Sequence, residues 1–105
     1  MNQKYEITDI VHPQYPWLHC IRALRDVRED VHAGDLGGFV QSEENLSQEG
    51  QCWVANNAVA AEESYISGDA IMWDYSCARG CAVISGKSRI GGEAIIEDHA
   101  IVTSG

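Results

Sequence analysis

A period of six residues governs the small and apolar positions in the second half of the chain. Counting from Cys52 in steps of six gives nine small residues in succession, and the residue two places after each of them is apolar. These apolar residues are Val54, Ala60, Ile66, Met72, Ala78, Ile84, Ile90, Ile96 and Val102. A period of six spreads side chains around a helix axis, so an amphipathic helix does not account for it. The pattern predicts short strands separated by turns.

The hexads of this segment resemble a known repeat. ISGDAI and IGGEAI show its features, and residues that form turns dominate two places after each apolar residue. The pattern resembles the hexapeptide repeat of left-handed parallel β-helices, in which an aliphatic residue points inward and a small residue occupies a tight corner. The resemblance implies an all-β fold, a short left-handed parallel β-helix of about three 18-residue coils. The period of six excludes a pentapeptide-repeat solenoid.

The sequence divides into residues 1–50, an N-terminal β cap with a glycine-rich lead-in, and residues 51–105, the β-helix. KYEITDIV and LHCIRALRD read as strands, and HPQYP between them contains two prolines that interrupt strand pairing. We therefore expect a hairpin or a short strand pair. A cap is expected physically, because the open end of a coil exposes unpaired strand edges.

The sixth residue of each hexad points outward in such a helix, and seven of the eight are uncharged here. Sorted by coil they form three faces: Val59, Cys77 and Ile95, flanked by Trp73; Tyr65, Val83 and Ile101; and Ile71 with Arg89. Exposed apolar stripes of this kind are normally interaction surfaces. We expect the cap to cover one of the first two stripes and a second copy of the chain to cover the other, as a homodimer. The alternatives are a dimer through the last coil, or a monomer whose cap covers both stripes.

The charge of the chain restricts its partners. Seven basic and 16 acidic residues give a net charge of −9, which repels phosphate backbones and disfavours direct binding of nucleic acid or an anionic membrane. The N-terminus lacks an apolar signal segment, which predicts a cytoplasmic protein. The acidic residues fall at predicted corners, where stacking would align some into ridges that imitate a phosphate strand: Glu62, Glu63, Asp69, Asp74, Glu93, Glu97 and Asp98.

The stretch before the regular hexads carries a second resemblance. RALRD, GGFV, NLSQEG and CWV, followed by small-apolar hexads, resemble the N-terminal region of YdcK-like β-helical proteins of bacteria and of their phages and prophages. That family is described mainly by its fold, sometimes with a transferase-like label. The resemblance implies a phage-encoded protein whose partner is a host protein, and we expect no cofactor.

Few residues of the sequence are candidates for catalysis or metal binding. Hexapeptide acyltransferases use a catalytic His, and the single His of the coils is His99, with Glu97 or Asp98 available to orient it. His12, His19 and His32 lack the regular spacing of a metal site. Cys77 and Cys81 have no base paired with them in sequence, so they are interpreted as packing residues.

The sequence favours a non-enzymatic interaction module. We expect it to bind a host protein, with a nucleic-acid-binding protein as one candidate, and to inhibit a host defence system such as a CRISPR-Cas effector or nuclease. The contact residues would be the outward apolar stripes with Trp73 and the acidic corners. The alternatives are an acyltransferase with His99 as the base, or a structural piece of a virion.

Overall fold

The computed structural model describes residues 3–104, and the ends of the two predicted segments at residues 1, 2 and 105 lie outside the described residues. In chain order the strands are β1 Tyr5–Val11, β2 His19–Ala23, β3 Leu36–Val40, β4 Trp53–Val54, β5 Val59–Ala60, β6 Tyr65–Ile66, β7 Ile71–Met72, β8 Cys77–Ala78, β9 Val83–Gly86, β10 Arg89–Ile90, β11 Ile95–Ile96 and β12 Ile101–Ser104. One 3-10 turn, Glu43–Asn45, precedes the coils. Between residues 3 and 104 no helix is long and apolar enough to cross a membrane.

Parallel pairing with an 18-residue offset builds the coils. Trp53 pairs with Ile71 and Ile71 with Arg89, and the other two faces keep the same register. β4 to β12 form three turns, and a partial turn before them joins through the pairing of Phe39 with Val59 and a bridge from Leu46 to Ile66. The predicted all-β parallel β-helix with an N-terminal strand cap is confirmed, and the partial turn adds to the three coils expected.

The corners explain the hexad. Each turn position has a positive φ between 55° and 68°, in Asn56, Glu62, Gly68, Asp74, Gly80, Gly86, Gly92 and Asp98. The left-handed backbone is open to glycine and, less readily, to Asn and Asp, which accounts for most of these residues. The small residue after each of the first six corners is buried because neighbouring coils close over it, whereas Ala94 and Ala100 in the last coil are exposed. Where it is serine, its hydroxyl is satisfied: Ser64 Oγ donates to the carbonyl of Ala61 at 2.8 Å.

The cap extends one sheet of the β-helix. β1 and β2 pair antiparallel, β2 and β3 likewise, and β3 then pairs in parallel with β5. The result is a six-stranded sheet in the order β1-β2-β3-β5-β8-β11. The predicted strand pair is therefore confirmed, and the sheet runs without a break from the cap into the coils.

The cap covers a different face from the one expected. Trp53 and Ile71, on the face of β4, β7 and β10, are almost fully buried. The ring of Tyr5 meets that of Trp53 edge to face at 6.4 Å between centroids. Arg28 donates from Nη1 to the carbonyl of Gln51 at 2.8 Å and fixes the following cap segment beside Ile71. The cap thus covers the third face, through Tyr5 of β1 and the segment that follows β2.

A buried lysine joins the cap to the first coil. Lys4 is fully buried, and its Nζ donates to the carbonyls of Cys52 at 2.8 Å and Glu49 at 3.2 Å and to the Cys52 thiol at 3.1 Å. Three acceptors match the three donors of an ammonium group. Burial nevertheless lowers the pKa of Lys4 below its ordinary value of 10.5.

This lowered pKa predicts a pH effect on stability. Between the pKa of folded Lys4 and 10.5 the unfolded chain holds the extra proton, so the contribution of Lys4 to stability is full above 10.5 and is lost as the pH falls through the folded value. The free energy of unfolding of the parent minus that of Lys4→Met should therefore rise with pH over that window, in urea titrations at several pH values. A difference that is flat or falls with pH would contradict this prediction.

Candidate functional site

The outward residues align as the hexad predicts, but the stripes differ in accessibility. Val59, Cys77 and Ile95 are direct neighbours across β5, β8 and β11, and Tyr65, Val83 and Ile101 across β6, β9 and β12. Ile101 is 73% exposed and Ile95 is 53% exposed, whereas Val59 and Val83 are half-buried. Both stripes leave an apolar side chain open to solvent. The predicted homodimer stays a prediction.

Two predicted contact residues lie elsewhere than expected. Ile71 is only 8% exposed, because the cap segment covers it. Trp73 does not flank the stripe of Val59; its ring lies on the side of β7 and β10, with the guanidinium carbon of Arg89 at 5.4 Å from its centroid. A Cβ at Gly91 would overlap the indole, so this glycine makes room for it. The Trp73 ring lies against Gly91 of the next coil, where a residue with a side chain would leave no space for it.

The acidic corner residues do not form ridges. All seven are exposed, but the 18-residue register places none of them directly above another in the coils. Glu62 lies over Gly80, whose N–H donates to Glu62 Oε1 at 2.7 Å, and Glu97 accepts from Arg79. A continuous strand of carboxylates that imitates phosphates is therefore absent from the described coils.

A groove crosses the sheet of β5, β8 and β11 below the connection between β1 and β2. We call it the lateral groove; it has a volume of about 670 Å³. Its lining residues are His12, Gln14, Tyr15, Trp17, Leu18, Asn57, Val59, Ala61, Glu62, Tyr75, Cys77, Arg79, Glu93 and Ile95. This size is in the range of small-molecule sites, which combine apolar walls with a few polar groups.

The connection between β1 and β2 supplies an aromatic wall. Pro13 and Pro16 lack N–H donors and end strand pairing there, and the loop closes through a hydrogen bond from His12 N to Leu18 O at 2.9 Å. Ring centroids are 5.5 Å apart for Tyr15 and Trp17 and 5.0 Å apart for His12 and Tyr15. Such contacts hold the aromatic rings as one group beside the apolar floor.

Tyr75 extends the aromatic surface on the coil side of the groove. It follows the left-handed corner at Asp74 and is 68% exposed. Its neighbours 18 residues away are Asn57 and Glu93, which also line the groove. One edge of the groove is therefore a stack of corner side chains from three successive coils.

The opposite edge is charged. Arg79 donates to Glu97 Oε1 from Nε at 3.0 Å and from Nη2 at 2.8 Å, and this pairing raises the pKa of Arg79. The positive charge of Arg79 is thus neutralised by a carboxylate beside the groove. Glu62, next to it, adopts φ 59°, a conformation that glutamate rarely takes. Glu62 and Glu93 leave the groove with a negative balance.

Two further groups of the groove bear on chemistry. Nδ1 of His12 accepts a hydrogen bond from Gln14 N at 3.1 Å, so the neutral ring carries its proton on Nε2 and can act as a donor. Cys77 lies in the floor, where burial raises the pKa of its thiol and keeps it protonated. His12 is the better candidate for contact with a developing negative charge, and Cys77 is a packing residue.

The other histidines do not join this site. His99 is exposed, and no hydrogen bond involves it among the described residues. Glu97, expected to orient it, is occupied by Arg79. His19 lies 3.2 Å from the carbonyl of Thr8, away from the groove. No group of three or more His, Cys, Asp or Glu in the described part of the chain could hold a metal ion.

Sequence reasoning missed the aromatic wall. His12, Tyr15, Trp17 and Tyr75 were absent from the expected contact residues, although Val59, Ile95, Glu62 and Glu93 were among them. HPQYPW contained a signal, since three aromatic or imidazole side chains around two prolines are unusual for a plain turn. Their position over β5 and β8 depends on β3 joining the coil sheet, which no local pattern shows.

A curated protein is similar in sequence to most of this chain. The "Uncharacterized acetyltransferase YdcK" of Escherichia coli (strain K12) is 34% identical over 87 residues, which are 82% of this chain and 21% of the relative. The chain thus spans about a fifth of the length of the curated relative it matches. No protein-family model matches the chain. No solved structure matches it.

This relative corrects one expectation and supports another. The similarity to YdcK-like β-helical proteins predicted from RALRD and GGFV is supported, whereas an origin in phages stays a prediction. The expectation of a non-enzymatic module is wrong, because the relative is named an acetyltransferase.

Proposed function

We propose that the lateral groove binds the acceptor of an acetyl-transfer reaction. The observation that carries this proposal is the groove itself, which combines an apolar floor, an aromatic wall and ionisable side chains within about 670 Å³. The name of the similar E. coli protein supplies the reaction class. The chain matches only about a fifth of that protein, so its own residues would have to supply the chemistry.

Electrostatics favour the acceptor over the acyl donor as the occupant. Coenzyme A carries several phosphate charges, and the groove holds Glu62 and Glu93 with an arginine already paired to Glu97. The negative charges of these carboxylates repel a polyanion and disfavour its binding. A neutral or cationic acceptor meets no such barrier.

The groove residues fit the proton movements of acetyl transfer. The acceptor nitrogen or oxygen attacks the carbonyl carbon of the acetyl thioester, the new bond forms, and the carbon–sulfur bond breaks with the electron pair on sulfur. The acceptor's proton passes to a base. We assign this role to Glu93, which has no hydrogen-bond partner among the described residues. His12 can donate from Nε2 to the carbonyl oxygen as it becomes negative.

The test is acetyl transfer by the 105-residue chain from acetyl-coenzyme A to a pool of small amines and alcohols, followed by release of free thiol and by mass spectrometry of the products. We expect Glu93→Gln to lower kcat/KM by roughly 100-fold, the size typical of losing a positioned base. Tyr75→Ala should raise KM.

Two control variants test the location. Glu63→Gln removes a carboxylate of equal charge outside the groove, and His99→Ala removes the histidine predicted from the sequence; neither should change the rate by more than about twofold. Absence of transfer to every acceptor, or a rate that depends on His99 and not on Glu93, overturns the proposal.

A further inference from the structure

We infer that the lateral groove selects a cationic, amphiphilic ligand, an ammonium group carried on an aryl or alkyl chain. The inference concerns the ligand class of the groove and rests on the proposed function only in naming that ligand the acceptor, which would release one proton to solvent and react as the free amine. Three observations lead to it: the charge balance, the exposed aromatic faces, and the apolar floor that separates them.

The charge balance excludes an anionic ligand. Arg79 is the one basic side chain among the described groove residues that is always charged, and both its Nε and its Nη2 donate to Glu97. Glu62 Oε1 accepts a backbone N–H, which orients the carboxylate at the groove edge. Glu93 stands on the facing edge. Neither carboxylate is paired with a basic side chain among the described residues, so an ammonium group beside either of them is stabilised, and it is desolvated in part by the walls.

The exposed aromatic residues of the groove also favour a cationic ligand. Tyr15, Trp17 and Tyr75 are 44%, 55% and 68% exposed, although large aromatic side chains are usually buried or partnered. Aromatic faces attract cations by about 0.5–2 kcal/mol each, and tryptophan is the strongest. The same chain already contains one such pair, Arg89 over Trp73. The groove therefore offers a cation both negative charge and π faces.

The apolar floor of the groove favours an apolar group in the rest of the ligand. Val59, Cys77 and Ile95 form a continuous apolar strip between the two charged edges, and burial keeps the thiol of Cys77 neutral. A hydrophilic cation such as free ammonium would leave this strip exposed to water. An aryl or alkyl group of the size of phenethyl covers it, which adds hydrophobic free energy to the ionic contact.

The experiment compares three probes of one shape: 2-phenylethylamine, 2-phenylethanol and 3-phenylpropionate. Binding to the 105-residue chain is measured by calorimetry and by tryptophan fluorescence, without acetyl-coenzyme A. We expect the amine to bind at least about tenfold more tightly than the alcohol, the propionate to bind least, and the amine's affinity to fall with salt. Equal affinity for amine and alcohol, or a preference for the propionate, overturns the inference.

Matched charge variants locate the binding. Glu62→Gln combined with Glu93→Gln should weaken amine binding by about tenfold, since both groove carboxylates are lost. Glu63→Gln combined with Glu49→Gln, two exposed carboxylates outside the groove, should change it by less than about twofold. An equal effect of this control pair means that the amine responds to net charge only and overturns the inference.

Two outcomes separate this inference from the proposed function and from self-association. Selective amine binding together with no acetyl transfer to any acceptor leaves the inference intact and refutes the proposed function. Dimers that dissociate in Tyr75→Ala during analytical ultracentrifugation show that a second copy occupies the groove, and they refute the inference.

Discussion

Replacement of Asn45 by alanine is expected to lower the free energy of unfolding by about 4 kcal/mol, close to the upper end of single substitutions. Asn45 is fully buried. Its Oδ1 accepts from the backbone N–H groups of Gln41 and Ser42, both at 2.9 Å, and its Nδ2 donates to the carbonyls of Glu62 at 3.0 Å and Ser64 at 2.9 Å. One side chain therefore joins the partial turn to the first complete coil.

The cost arises from backbone groups left without partners. Gln41 N retains the carbonyl of Ala60 at 3.2 Å, but the N–H of Ser42 and two carbonyls lose their bonds in the alanine variant. Each unsatisfied buried group costs about 1–3 kcal/mol. Urea denaturation measures the change, and Asn57→Ala, an exposed asparagine of the coils, is the control. A loss below about 1 kcal/mol would show that water replaces the amide.

Asn45→Asp separates the two halves of this network. The carboxylate still accepts from Ser42 and Gln41 but faces the carbonyls of Glu62 and Ser64 with no donor. We expect this variant to be less stable than the alanine variant at neutral pH and to recover part of the difference as acid protonates the new carboxyl group. Denaturation at neutral and acid pH measures that recovery.

Gly50→Ala is the second substitution with a large expected effect: it should lower the free energy of unfolding by about 3 kcal/mol. Gly50 has φ 73°, and an added Cβ would overlap the carbonyl oxygen of Gly68 in the next coil. Both the left-handed backbone and the steric overlap oppose the side chain. Because the overlap is with backbone, relief requires the coils to separate.

Gly92→Ala is the matched control for this prediction. Gly92 has φ 62°, but nothing lies within 4 Å of an added Cβ. The free energy of unfolding of Gly92→Ala should fall only by the cost of an alanine in the left-handed conformation, about 1–2 kcal/mol. Thermal and urea unfolding of both variants give the comparison. If Gly92→Ala is as destabilising as Gly50→Ala, then the backbone conformation alone sets the cost and the coil contact contributes nothing.

The coils were predictable because the information for them is local. Every hexad repeats one requirement, as at Ile66 and Ala70, and a corner residue such as Gly68 or Asp74 supplies the positive φ. Eight successive corners adopt that conformation where the sequence placed turn formers. The face assignment of Val59, Cys77 and Ile95 followed from the same arithmetic.

The cap and the groove depend on partners that are far apart in sequence. Lys4 and Asn45 are polar residues whose burial no local pattern predicts, and their acceptors lie up to 48 positions away. Trp73 was assigned to the wrong side because the space left by Gly91 in the next coil decided its direction. The aromatic wall exists because the six-stranded sheet places the β1–β2 connection beside β5.

The 18-residue register gives the lateral groove a unit of length. Each coil contributes one floor residue and one edge residue, as Cys77 and Tyr75 do for the middle coil. Insertion or deletion of a single 18-residue coil would lengthen or shorten the groove by one strand spacing, about 4.8 Å, without changing its cross-section. Ligand length can therefore diverge between homologues by duplication of a coil, with the chemistry of each layer chosen separately by its own two outward residues.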